Sequence, residues 1–246
     1  MCELFGMSCD RYERAVKALP IFANKGQWCK DGWGIGYYRD KEPVVEKYPE
    51  EALNSALFKK AVLKAKSNIV ICHLRHADRG VVCKENCHPF KITRLNKDWL
   101  FVHNGSIKPI EYPSDVEGNT DSARIFTYLM DHISYYVEKG LTGSIYPAIV
   151  KATKKAFEDF GRNIKLNYIL TDGSLLYVFS HYARKNFYFL KRNKPSGCAI
   201  LVSTIKLTAE DWRVIPQDRL FVIQDGRSIV LSKKLSTIEG ERSETS

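Results

Sequence analysis

Hydrophobic and polar positions along the chain follow two rhythms, one of strands and one of helices. Short apolar runs such as Asn68-Ile69-Val70-Ile71-Cys72 and Trp99-Leu100-Phe101-Val102 predict buried strands at 69–74 and 99–102. The segments 33–38 and 44–47 also read as strands, and 2–7 is a short apolar stretch. Helical spacing predicts a helix around 11–19. It predicts another over 50–66, where Leu53, Ala56, Leu57, Lys60 and Leu63 recur after Pro49. Two longer helices are expected at 120–138, stopped by Gly140, and at 144–160, stopped by Gly161.

The last third changes character. Residues 166–171 and 175–180 flank Asp172-Gly173, and 220–224 and 228–231 flank Asp225-Gly226, both strong hairpin signals. Hairpin-joined strands mean antiparallel sheet, and separate helices must cover it, so the expected class is α+β in layers. No repeat or Pro/Gly/Ser-rich linker divides the sequence, which predicts one domain over 1–235. The polar end, 236–246, is expected to be disordered.

Composition narrows the classes further. The 246 residues can bury a sizeable core, and 44% hydrophobic with 27% charged residues is ordinary for a soluble protein. No apolar run approaches the length of a membrane span, and the start carries no basic region of an export signal. A cytoplasmic location is therefore expected. The formal charge of +10 is spread along the chain with no nucleic-acid motif beside it, so it reads as a solvated lysine-rich surface. Seven cysteines (2, 9, 29, 72, 83, 87 and 198), odd in number and irregularly spaced, predict thiols rather than a disulfide framework.

Four places could carry chemistry. Cys2 would expose a free α-amine once Met1 is removed, so that one residue offers a thiol nucleophile and an amine base titrating near pH 8; alternatively it is an incidental early cysteine. His73-Leu74-Arg75-His76-Ala77-Asp78 follows an apolar run and so emerges at a strand end. There the Arg75 fork suits a carboxylate or a surface contact. Asn104-Gly105 is a turn signal, or a pair of N–H donors for a developing oxyanion. Asp121, opening a helix beside Thr120, is a cap or a ligand for an ammonium group.

In order along the chain, these residues resemble the glutaminase domain of class II, N-terminal-nucleophile glutamine amidotransferases. The opening Met-Cys-Glu-Leu-Phe-Gly-Met resembles that family's Met-Cys-Gly/Glu-hydrophobic start, and Asp31-Gly32-Trp33-Gly34-Ile35-Gly36 resembles a segment of its stand-alone members. His73-x-Arg75, Cys87-His88-Pro89-Phe90, His103-Asn104-Gly105 and Thr120-Asp121-Ser122 complete the set, and 166–173 with Trp212…Pro216 extend it. The resemblance implies a four-layer αββα sandwich, two antiparallel sheets between helices. It implies that Cys2 attacks the side-chain amide of glutamine, Asn104 and Gly105 hold the oxyanion, Arg75 binds the α-carboxylate and Asp121 the α-ammonium. His88 lines the pocket, beside His76 and Asp78. Glutamate and ammonia leave by way of a γ-glutamyl thioester, without metal or cofactor, and any ammonia transfer requires a separate acceptor subunit. Two departures stand out: Asp78 where relatives have Thr or Ser, and Ser203-Thr204-Ile205 where they tend to have Ser-Glu-Pro. Asp78 makes another γ-glutamyl amide or peptide the alternative substrate. The alternative of another class is a metal-binding regulatory module built on His73, His76, Cys83, Cys87 and His88, although their spacing lacks a paired Cys-x-x-Cys arrangement.

Overall fold

The computed structural model describes residues 1–77, 80–107, 110–194 and 197–235. Asp78 and the tail expected to be disordered, 236–246, lie outside them. The first half runs β1 (Glu3–Arg14), α1 (Ala18–Lys25), β2 (Gly32–Arg39), β3 (Glu42–Tyr48), α2 (Ala56–Lys64), β4 (Lys66–Arg75), β5 (Phe90–Arg94) and β6 (Lys97–Ser106). The helices α3 (Asp121–Glu138) and α4 (Ile145–Phe160) follow. The chain then continues through β7 (Lys165–Thr171), β8 (Leu176–Ser180), β9 (Tyr188–Lys194), β10 (Gly197–Ser203), β11 (Arg213–Val214), β12 (Arg219–Gln224) and β13 (Arg227–Leu231).

The strands form two antiparallel sheets. One is ordered β11-β9-β10-β1-β4-β2-β3, the other β13-β12-β8-β7-β6-β5. Three apolar clusters define four layers. Leu4, Ile69, Ile71, Leu100, Val102, Ile169 and Val202 pack between the sheets. Helices α1 and α2 cover the outer face of the first sheet through Leu19, Phe22, Phe58 and Ala61. Helices α3 and α4 cover the second through Phe126, Met130, Ile149 and Phe157. This is the expected αββα sandwich. Among the described residues, no helix is long and apolar enough to cross a membrane.

Both hairpins form as expected: β7 pairs with β8, and β12 with β13. The two long helices also start where expected, with Thr120 accepting from Ala123 N (3.3 Å) as the N-cap of α3. Two early helices differ. At 11–14 the chain stays extended, because β1 continues past an irregularity and pairs Glu13 with Ser67 and Arg14 with Lys66. Helix α1 therefore begins only at Ala18. The helix expected over 50–66 is shorter, since Ser55 caps it by accepting from Phe58 N at 2.9 Å. Its buried face is Phe58, Ala61 and Val62, while Leu57 and Leu63 are exposed.

Candidate active site

The two sheets come together at the strand ends where β1 begins and β4 and β6 finish. In register, Glu3 lies opposite Leu74 and Gly32 opposite Arg75, so the residue entering β1 stands beside the outgoing end of β4. From the other sheet, β6 brings Asn104 to the same place, and α3 presents its first turn there. The result is a cavity of about 130 Å³. Its lining includes Cys2, Arg75, His76, His88, Asn104, Gly105 and Asp121, every described residue that the amidotransferase resemblance put forward for catalysis or substrate binding. Cys83 and Cys87 of the metal-module alternative lie outside the lining.

The amino-terminal segment is held at several points. The Cys2 thiol lies 3.3 Å from His76 O, to which it donates, and 3.3 Å from His76 N, from which it accepts. Asn104 Nδ2 donates to the carbonyl of Cys2. Cys2 is half-buried, whereas Cys9, Cys29, Cys72 and Cys87 are buried. Burial pushes those four thiols up, Cys9 to about 12, which disfavours their reactive thiolate forms.

Arg75 is almost fully buried, and its guanidinium donates to Asp31 O at 3.4 Å and Val81 O at 3.2 Å. Asp31 also orders the loop after β4: its Oδ2 accepts from Ala77 N at 2.7 Å and lies 3.8 Å from His76 Nδ1. Asp121 accepts from Ile107 N at 2.9 Å through Oδ2 while Thr120 does the capping, so the carboxylate is held at the cavity wall independently of the cap.

Three histidines form the floor. His73 and His88 are buried with ring centroids 4.2 Å apart, and none of their ring nitrogens has a hydrogen-bond partner within the described protein. His103 is bound by Ser122 Oγ at 2.8 Å and Lys165 O at 3.2 Å. Burial, reinforced by Arg75 and His103, depresses His73 to about 3. Burial and the neighbouring His73 push His88 well below the ordinary range, and burial lowers His103 against the pull of Asp121. All three are neutral at neutral pH.

Two glycines of the quoted motifs are required sterically. A Cβ on Gly34 would sit 1.9 Å from His88 O, and one on Gly105 would sit 1.8 Å from Lys165 O. Among the described residues, no group of three His, Cys, Asp or Glu side chains is arranged to hold a metal ion.

Sequence reasoning passed over several wall residues. Asn86 donates to Val81 O (3.0 Å) and Asn119 Oδ1 (3.1 Å), linking the loop after β4 to the entry of α3. Tyr182 and Lys165 complete the lining from the β7–β8 side. Thr204, in the segment that departs from relatives, donates to Glu3 Oε2 at 2.5 Å and accepts from Leu4 N at 2.9 Å. Asp31 and Thr204 both fall within segments that the sequence singles out. The others carry no local signal.

Residues 1–201 match the family model of glutamine amidotransferases, class II. A protein of Escherichia coli (strain K12) named "Putative glutamine amidotransferase YafJ" is 30% identical over 212 residues, covering 82% of this chain and 80% of that relative. The crystal structure of "predicted glutamine amidotransferase from Pseudomonas aeruginosa PA01" aligns with a TM-score of 0.68 at 20% identity, over 93% of this chain and 100% of that one. Glutamine phosphoribosylpyrophosphate amidotransferase from B. subtilis aligns with a TM-score of 0.69 at 13% identity, over 96% of this chain and 50% of its own. At these identities the two structures show a shared fold.

Proposed function

Because this chain belongs to the class II glutamine amidotransferases, we propose that it hydrolyses the side-chain amide of glutamine, with Cys2 as nucleophile after Met1 is removed. The freed α-amine accepts the thiol proton as the sulfur attacks the amide carbonyl. Asn104, whose amide carries two N–H groups, and the backbone N–H of Gly105 stabilise the oxyanion. The α-amine then passes its proton to departing ammonia, and water releases glutamate from the γ-glutamyl thioester. Arg75 binds the α-carboxylate and Asp121 the α-ammonium, so the two charged groups on the α-carbon are both clamped and the amide at the far end of the side chain is fixed over the sulfur.

The observation that carries this reading is the hydrogen bond from Asn104 Nδ2 to the Cys2 carbonyl, which puts the candidate donor on the candidate nucleophile's own residue. Asp78, an anion close in sequence to Arg75, favours a second donor, another γ-glutamyl amide or peptide.

Intact mass before and after exposure to an electrophilic glutamine analogue tests the proposal directly. One analogue should attach per Met1-free chain, and none to Cys2→Ser. Glutamate release should be nearly lost in Cys2→Ser and in a protein extended so that Met1 stays. Full turnover by the extended protein would refute the mechanism. Comparing glutamine with γ-glutamyl amides and dipeptides separates the two donors.

A further inference from the structure

The carbonyl oxygen of Met1 is held by two consecutive residues. Trp28 Nε1 and Cys29 Sγ each donate to it at 3.3 Å. Both side chains are delivered by the turn that follows α1, in which Cys29 N donates to Gly26 O at 2.9 Å. Cys29 is buried, and Trp28 is half exposed with Lys185 Nζ 5.8 Å from its ring. A planar peptide keeps the Met1 oxygen about 2.2 Å from the Cys2 nitrogen. The place this oxygen occupies therefore adjoins the nitrogen that becomes the α-amine once Met1 has gone.

The two groups suit an oxygen ligand in different ways. Indole Nε1–H is a donor only, whereas a thiol can donate weakly or accept weakly. Burial, with Cys2 adding to it, pushes the Cys29 thiol up, so it stays neutral beside a reacting sulfur.

We propose that Trp28 and Cys29 are positioning residues for deacylation, holding in the processed protein a water molecule near the place now taken by the Met1 carbonyl oxygen, displaced outward to hydrogen-bonding distance from the α-amine. This rests on the thioester reading above. The water accepts from Trp28 Nε1, directs one hydrogen to the α-amine and the other to Cys29 Sγ, and keeps one lone pair for the thioester carbonyl. As the new C–O bond forms, the α-amine takes the proton. When the adduct collapses, the C–S bond breaks, glutamate leaves and the ammonium returns the proton to the Cys2 sulfur.

The test uses full-length protein shown by intact mass to lack Met1. Trp28→Phe keeps the ring and removes the donor. It should lower kcat about five- to tenfold, the worth of one net hydrogen bond. Acylation is untouched, so kcat/KM should hold, and acid-quenched protein should carry a γ-glutamyl adduct. Hydroxylamine, which needs no positioned water, should restore turnover. Cys29→Ala should act in the same direction, and Cys29→Ser, which keeps an acceptor, should stay near wild type. If wild type forms the adduct while Trp28→Phe and Cys29→Ala deacylate at its rate, the water position is wrong and the thioester stands. A fall in kcat/KM without adduct would assign both residues a general structural role and also overturn the inference. If wild type forms no adduct with any γ-glutamyl donor, the thioester reading fails and takes this inference with it.

Discussion

Asn104, at the end of β6 in one sheet, donates from Nδ2 to the backbone carbonyl of Cys2, 102 residues earlier and leading into β1 of the other sheet. The separation of these residues is therefore set by how the sheets stack on Leu4, Ile71, Leu100 and Val102 rather than by a flexible loop. A close-packed interface has little freedom to drift, so the proposed oxyanion donor and the proposed nucleophile are held together before substrate arrives.

Asn104→Ala removes that donor. Its expected effect is a fall in kcat of about 10²–10³, corresponding to ~3–4 kcal/mol of lost transition-state stabilisation, with a smaller change in KM. Steady-state glutamate release measures it. A KM effect alone would make Asn104 a substrate-binding residue and remove it from the oxyanion role.

Arg75 and Asp121 are expected to act on binding. Arg75→Lys and Asp121→Asn should each raise the KM for glutamine about tenfold or more, since a charge-assisted hydrogen bond contributes ~1.5–3 kcal/mol. Substrate analogues isolate the contacts. An amide lacking the α-carboxylate should be turned over equally by wild type and Arg75→Lys, and one lacking the α-amine equally by wild type and Asp121→Asn. Discrimination that persists with the truncated amides would mean that Arg75 works through the loop it ties down at Asp31 and Val81.

Much of this site was legible because its chemistry is concentrated at strand ends and a helix start, which local patterns mark. The apolar run before His73 and the Thr120-Asp121 opening each announced a boundary that lines the cavity. Asn104 and Gly105 also line it but stand inside β6, paired with Asn167 and Leu166, instead of making the turn that Asn-Gly signals. The two long helices and both hairpins were legible for the same reason. What escaped is non-local. Residues 11–14 have helix-compatible composition and become strand only because Ser67 and Lys66 supply a ladder from across the chain. Strand β9 lacks alternation clear enough to separate it from loop. Trp28 and Cys29 reach the Met1 carbonyl through a turn that no motif signals.

The buried histidines give the protein a defined acid sensitivity. His73 titrates near 6.5 when unfolded but is depressed to about 3 in the fold, so below pH 6.5 the unfolded chain binds more protons. Stability is therefore full above pH 6.5 and is lost as pH falls toward 3, by about 2 kcal/mol from His73 alone at pH 5. His88 and His103, lowered by the same burial, add to the loss. Glu3, raised by burial, acts with the opposite sign but is one group against three. Urea unfolding at pH 7.5 and pH 5 should show the drop, and His73→Gln should flatten it. An equal slope in the variant would place the sensitivity elsewhere.

Behind the first turn of β1, Glu3 is completely buried and paired with Lys185, while Thr204 donates to its other oxygen at 2.5 Å. Glu3 and Thr204 sit on adjacent segments. The departure from Ser-Glu-Pro at 203–205 thus places a hydroxyl where it can satisfy a carboxylate carried by β1. Removing one partner of a buried pair costs more than removing both, because the survivor keeps its desolvation without its counter-charge. Lys185→Met should therefore destabilise the protein by ~3–5 kcal/mol at pH 7.5. The loss should shrink as pH falls, because the Glu3 carboxyl, already raised by burial, then takes up a proton in the folded state and sheds its unpaired charge. Glu3→Gln with Lys185→Met should recover most of the stability, giving a coupling well outside additivity in a double-mutant cycle. Additive losses at every pH would show that the pair contributes nothing as a pair, and that the start of β1 is held by the sheet ladder and Asn104 alone.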